Sequence, residues 1–139
     1  MKWEWNNEPD KWKPVKGWEG IYDVSRYGEI RSCRKSMEHY SVLLVPATTK
    51  NGYLHVHLSK DGRSATAKVH RLVAEAFLGN PPDGCDEVNH KDEDKTNNRV
   101  DNLEWCSSKY NANYGTAQER KAASFRKTMR ERKNAQHLR

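Results

Sequence analysis

Between Val88 and Asn111 the chain gathers one histidine, five asparagines and five acidic residues, flanked by two short apolar runs. Residues 91–102 are too polar for any packed element and must form a loop. Asn and Asp side chains bond neighbouring backbone groups, so such a loop can still be rigid. On its two sides, Glu87-Val88-Asn89-His90 and Leu103-Glu104-Trp105-Cys106 read as short strands. Ser107 or Ser108 can cap a helix running through Tyr110 and Asn111. The expected order is strand, ordered loop, strand, helix, in which His90, Asn102 and Asn111 come from three elements and can converge.

Charge adds a conflict. From Asp83 to Glu104 there are eight Asp/Glu against three Lys/Arg, in a chain of net charge +6. Residues 107–139 carry nine Lys/Arg and two Glu, so the positive excess sits in the tail. A basic segment favours polyanions through counterion release, although a solubilising terminus has the same composition. The acidic stretch should repel a phosphate backbone, and a bound divalent cation would reconcile the two.

At 139 residues, with 35% hydrophobic content, the chain supports one ordinary domain or two small ones around a modest core. Cys33, Cys85 and Cys106 make no CxxC pair, which argues against a disulfide framework and for a reducing cytoplasm. No apolar run approaches the ~20 residues that span a bilayer, and a signal-peptide pattern is missing, so no membrane partner is expected.

Taken in order, residues 1–11 read as a loose polar arm. Ile21–Ser25 and Glu29–Ser32 read as strands around a Tyr27-Gly28 turn, and Arg26, Arg31, Arg34 and Lys35 cluster there as candidate phosphate contacts. Residues 42–50 offer a strand broken by Pro46. In Tyr53–Leu58 strict alternation places Leu54, Val56 and Leu58 on one face, with Tyr53, His55 and His57 on the other. A Lys60-Asp61-Gly62-Arg63 turn returns the chain as Thr66–Val69, with Arg63 a further candidate DNA contact. Val69, Leu72, Val73, Ala76 and Phe77 form the apolar stripe of a helix over His70–Leu78, which carries Arg71 and ends at Gly79. His70 suits a structural or DNA-contacting role. Residues 116–135 favour a basic helix, on which Arg120, Lys121, Arg126 and Lys127 would meet phosphates, with Ala122, Phe125 and Met129 a thin apolar set.

His90, Asn102 and Asn111 in this order resemble the HNH nuclease signature. More narrowly, the run His70–Phe77, followed by Asn89-His90-Lys91-Asp92, Lys95-Thr96-Asn97-Asn98 and Asn102-Leu103-Glu104-Trp105, is similar to HNH homing endonucleases of phages and introns. The segment Trp12–Ser32 resembles the nuclease-associated modular domain that often precedes them. The resemblance implies an α+β protein: small antiparallel hairpins, then a ββα-metal (His-Me finger) core, then a basic helical tail. It divides the chain into a modular region at 12–50, a nuclease core at 51–114 with its ββα unit at 86–113, and a tail at 115–139.

The resemblance also implies roles. His90 would be the general base, Asn102 the brace that orders the loop and keeps His90 in orientation, and Asn89 and Asn111 the ligands of one Mg²⁺ or Mn²⁺ ion. The implied activity is hydrolysis of double-stranded DNA to a 5′-phosphate and a 3′-hydroxyl, by a monomer rather than a homodimer, in the cytoplasm of a bacterial or phage-infected cell. Asn89 stands where relatives carry Asp, and its carbonyl brings no charge. Asp92 or Asp94 is then expected to supply charge from behind. A calcium loop is a poor alternative, because Asn97 replaces the required Gly and Leu103 the required Glu. A non-catalytic DNA-binding module with a degenerate site is the competing function.

Overall fold

A computed structural model describes residues 10–33 and 42–137. Most of the arm expected at residues 1–11 therefore lies outside the described residues. Among the described residues the fold is α+β, with three small antiparallel sheets, three α-helices, a π-helical turn, and a 3-10 turn over Val100–Asn102 in the stretch expected to be loop throughout. The first sheet is a meander of β1 (Trp12–Pro14), β2 (Tyr22–Ser25), β3 (Ile30–Ser32) and β4 (Val42–Leu43). The second joins β5 (Ala47–Thr48), β6 (Leu54–Lys60) and β7 (Arg63–Lys68). The stretch expected as one broken strand at 42–50 is thus two strands in different sheets, with Pro46 in the crossing between them. Proline lacks the ladder donor, so it serves where pairing stops.

In β6 the alternation holds: Val56 and Leu58 are buried, while His57 is exposed. Tyr53 departs from it, because the residue precedes the strand and turns its ring onto His70, 5.1 Å between centroids. Helix α1 (Val69–Val73) continues as a π-helical turn over Ala74–Leu78 and buries Val69, Leu72, Val73 and Ala74. Ala74, outside the expected stripe, is also fully buried in the core.

One apolar cluster joins all of these parts. Val15, Tyr22, Val24 and Ile30 of the meander meet Val56, Leu58, the α1 residues, Val88 and Leu103. Burying each Val, Leu or Ile side chain contributes about 1.5–3 kcal/mol before chain entropy is counted. A polar clip reinforces the joint: the Tyr22 hydroxyl donates to the Ser59 carbonyl at 3.2 Å and accepts from the Ser59 amide at 3.0 Å.

Strands β8 (Glu87–His90) and β9 (Leu103–Cys106) form the third sheet, and helix α2 (Ser108–Asn113) follows. Ser107 is the cap, its hydroxyl accepting from the Tyr110 amide. Helix α3 (Ala117–His137) then runs out with only Ala117 buried among its described side chains. Phe125 and Met129 are 67% and 45% exposed, so the thin apolar set packs on nothing within the described residues. All three cysteines are unbridged, and among the described residues no helix is long and apolar enough to cross a membrane.

Candidate active site

The β8–β9 register builds the site's floor. Asn89 pairs with Glu104 and His90 with Leu103. Cross-strand neighbours share a face, and the Asn89 amide donates to the Glu104 carboxylate at 2.8 Å. Helix α2 lies against β8 and brings in Asn111, whose amide donates to Glu87 at 2.8 Å; the Ser108 hydroxyl donates to the same carboxylate at 2.9 Å. These two bonds, the Asn111 one first, hold the Glu87 carboxyl below the usual glutamate range, so it stays ionised.

Asn89, His90 and Asn111 line one pocket of about 50 Å³, together with Tyr53, Val88, Glu93, Lys95, Tyr114 and Arg120. With each amide nitrogen bonded to a carboxylate, the carbonyl oxygens of Asn89 and Asn111 are the ends available to a ligand. Both are hard oxygen donors of the kind that Mg²⁺ and Mn²⁺ accept, and such ions complete their shells with water and phosphate. Glu104 and Glu87 also polarise the amides, which offsets their lack of charge. Among the described residues no group of three His, Cys, Asp or Glu gathers that could hold a metal ion.

The supporting carboxylates are not the expected ones. Asp92 and Asp94 are occupied within the loop. Asp92 accepts from the Asp94 amide, from the Asn97 side chain and from the Asn102 side chain, and Asp94 accepts from Thr96. Their carboxyls are held below the usual range, chiefly by Asn97 and by the Thr96 hydroxyl respectively. Glu87 and Glu104 take the place behind the amides because strand register and helix packing, rather than sequence proximity, set who reaches them.

Asn102 ties the loop together. Its amide donates to Asp92 and to the Asn97 carbonyl, its side-chain oxygen accepts from the Asp92 amide, and its backbone carbonyl accepts from the Lys91 amide. The imidazole itself is held by another residue, Asn98, whose side-chain oxygen lies 2.8 Å from His90 Nε2. A carbonyl oxygen can only accept, so in this contact a neutral His90 ring donates from Nε2 and keeps its lone pair on Nδ1. Asn98 is 3% exposed and His90 5%. Nothing in spacing separates Asn98 from its neighbour Asn97; only burial does. Tyr53 and His70 wall the ring on the other side, at 6.1 and 5.2 Å between centroids. Burial first, then the charge of neighbouring His90, Lys68 and Arg71, brings His70 down to about 3, so it stands neutral beside His90.

The candidate DNA contacts divide by environment. Arg31 donates twice to Asp23 and lies over Trp12 at 4.2 Å, engaged inside the meander. Arg26 is partly buried in the β2–β3 turn, with Nε lacking a partner. Arg71 donates to the Asp86 carbonyl and pairs with Glu75. Arg63 is exposed in the β6–β7 turn. Arg120 pairs with Glu93 at the pocket, Lys121 caps the Ala112 carbonyl, and Arg126 and Lys127 stand exposed on α3. Arg34 and Lys35 lie outside the described residues.

Comparison with known proteins agrees with this geometry. The family described as HNH endonuclease matches residues 67–113, and the NUMOD4 motif matches residues 10–59. The DNA endonuclease I-HmuI of Bacillus phage SP01 is 41% identical over 73% of this chain and 55% of its own length. Two uncharacterized HNH endonucleases of Acanthamoeba polyphaga mimivirus are 38% and 34% identical, over 29% and 25% of their lengths. The chain thus spans little more than half of the phage enzyme and under a third of the viral ones. A solved structure titled for DNA binding and cleavage by the homing endonuclease I-HmuI superposes with a TM-score of 0.67 at 38% identity, covering 84% of this chain and 66% of that one. The chain thus carries a NUMOD4 motif leading into an HNH endonuclease domain and is homologous to a phage homing endonuclease.

Proposed function

We propose that this chain hydrolyses phosphodiester bonds in double-stranded DNA, with His90 as general base, to leave a 5′-phosphate and a 3′-hydroxyl. The observation that carries the reading is the shared pocket of His90, Asn89 and Asn111, with the imidazole anchored through Nε2. His90 Nδ1 takes a proton from the attacking water, while Asn98 keeps the ring from turning. Asn89 and Asn111 would hold one Mg²⁺ or Mn²⁺ ion, which when bound stabilises charge on the phosphate and on the leaving 3′ oxygen. Arg120 lines the same pocket and offers a guanidinium to the phosphate once it leaves Glu93. Helix α3, exposed and basic, tracks the backbone beyond. A chain with one such pocket acts as a monomer and nicks one strand, inside the cell that holds its target.

The test is a supercoiled plasmid incubated with Mg²⁺ or Mn²⁺. Wild type should convert it to the nicked form, and His90→Ala should bind it without nicking. Binding by wild type with no cleavage in either ion would leave a DNA-binding module instead.

A further inference from the structure

The turn between β2 and β3 belongs to the N-terminal sheet, yet it is seated on the loop that holds His90. The Val100 amide donates to the Arg26 carbonyl at 2.9 Å, and the Arg99 guanidinium lies 4.9 Å from the Tyr27 ring. Gly28 closes the contact. A Cβ on Gly28 would stand 3.0 Å from Asn98 Cβ and 3.2 Å from the Asn98 carbonyl oxygen, and its φ of +88° is one that side chains rarely adopt. The turn is itself stiff: buried Ser25 accepts from the amides of Tyr27 and Glu29 at 3.2 and 3.0 Å, and the Gly28 amide donates to the Ser25 carbonyl.

We infer that this turn is a positioning element of the active site, acting through Asn98 on the orientation and tautomer of His90. The path is short: Gly28 fixes where the Asn98 backbone lies, and the Asn98 side chain fixes the imidazole. The segment matched by the NUMOD4 motif then takes part in the candidate site, because its β2–β3 turn packs on the loop that holds His90. The role assigned to the ring rests on the proposed function, while the positioning itself is a separate property of the folded chain.

The two can be tested apart. In long-range nitrogen–proton NMR of the full chain, without DNA or metal, wild-type His90 should show a single Nε2–H tautomer. Gly28→Ala should mix the tautomers while the Val56 and Leu58 core signals stay in place. Where the nuclease is active, the same variant should lower kcat ten- to a hundredfold, as a misplaced base does, with KM and DNA affinity unchanged. Added to Asn98→Ala, Gly28→Ala should cost nothing further in kcat, because both act on one bond. Should Gly28→Ala fail to fold, Gly28→Asn serves, since Asn accepts a positive φ more readily while keeping the Cβ. A variant whose His90 keeps the wild-type tautomer, or whose kcat loss adds in full to that of Asn98→Ala, overturns the inference. Absence of cleavage by wild type overturns the nuclease reading and leaves the tautomer measurement standing.

Discussion

Asn89 and Glu104 face each other across the β8–β9 ladder, amide nitrogen to carboxylate oxygen at 2.8 Å. If Asn89 holds the proposed ion, the pair lets a neutral side chain serve as its ligand, because the charge stands one bond behind the donor instead of on it. Glu104→Gln should therefore weaken Mn²⁺ binding by roughly ten- to a hundredfold, the usual cost of losing such a partner. Asn89→Asp alone should bring little gain, because it sets two carboxylates against each other at hydrogen-bond distance. The double variant Asn89→Asp, Glu104→Gln should bind tighter than either single one. Calorimetric titration with Mn²⁺ reads all three, and a single Asn89→Asp that outbinds the double variant would refute the account.

His70 predicts a pH dependence of stability. Burial brings it from 6.5 to about 3 in the folded chain. Between those values the unfolded chain carries the extra proton, so stability is full above the unfolded value and declines as pH falls. The decline is at most about 1.4 kcal/mol per pH unit for this one group. His70→Phe keeps a ring against Tyr53 and His90 and removes the buried, unpartnered Nδ1. Urea midpoints taken from neutral pH downward should fall less steeply in the variant than in wild type.

How far the site could be read from sequence depends on where each partner lies. The strand and capped helix that bring His90 and Asn111 to one pocket were legible as local patterns, with Ser107 marking the helix start, whereas Asn102, expected to converge with them, bonds within the loop instead. Leu54, Val56 and Leu58 were legible by alternation. Glu87 and Glu104 were not, since their partners follow from register and from the way α2 crosses β8. Asn98 was hidden among its like, and β1 by its shortness and its proline. The docking of Gly28 on Asn98 joins positions 70 apart in the chain, which no local period reports.

Glu93 predicts how the tail is tethered. It sits in the loop at φ 63° and accepts from the Thr116 amide, the Thr116 hydroxyl and Arg120. Gly115 passes so close that a Cβ there would stand 2.8 Å from the Glu93 carboxyl carbon. The carboxylate thus satisfies an amide at the start of α3, where helices leave donors open. Glu93→Ala should speed hydrogen exchange in the first turn of α3 and leave β8 and β9 protected. Uniform loss of protection in both regions would instead mean that Glu93 supports the whole domain.

The salt dependence of DNA binding should separate free cations from engaged ones. Arg126 and Lys127 are exposed on α3, and each phosphate they neutralise contributes about 0.9 to the slope of log affinity against log salt. Replacing both by Ala should therefore lower that slope by up to about 1.8, with the melting temperature unchanged. Arg31 should behave in the opposite way. Its guanidinium is already bonded to Asp23 and stacked on Trp12, so Arg31→Ala should lower the melting temperature and leave the slope alone. Fluorescence anisotropy on one duplex across a salt series, paired with thermal melts, reads both quantities. A slope that falls with Arg31→Ala and holds with the α3 pair would place the phosphate track on the meander instead of the tail helix.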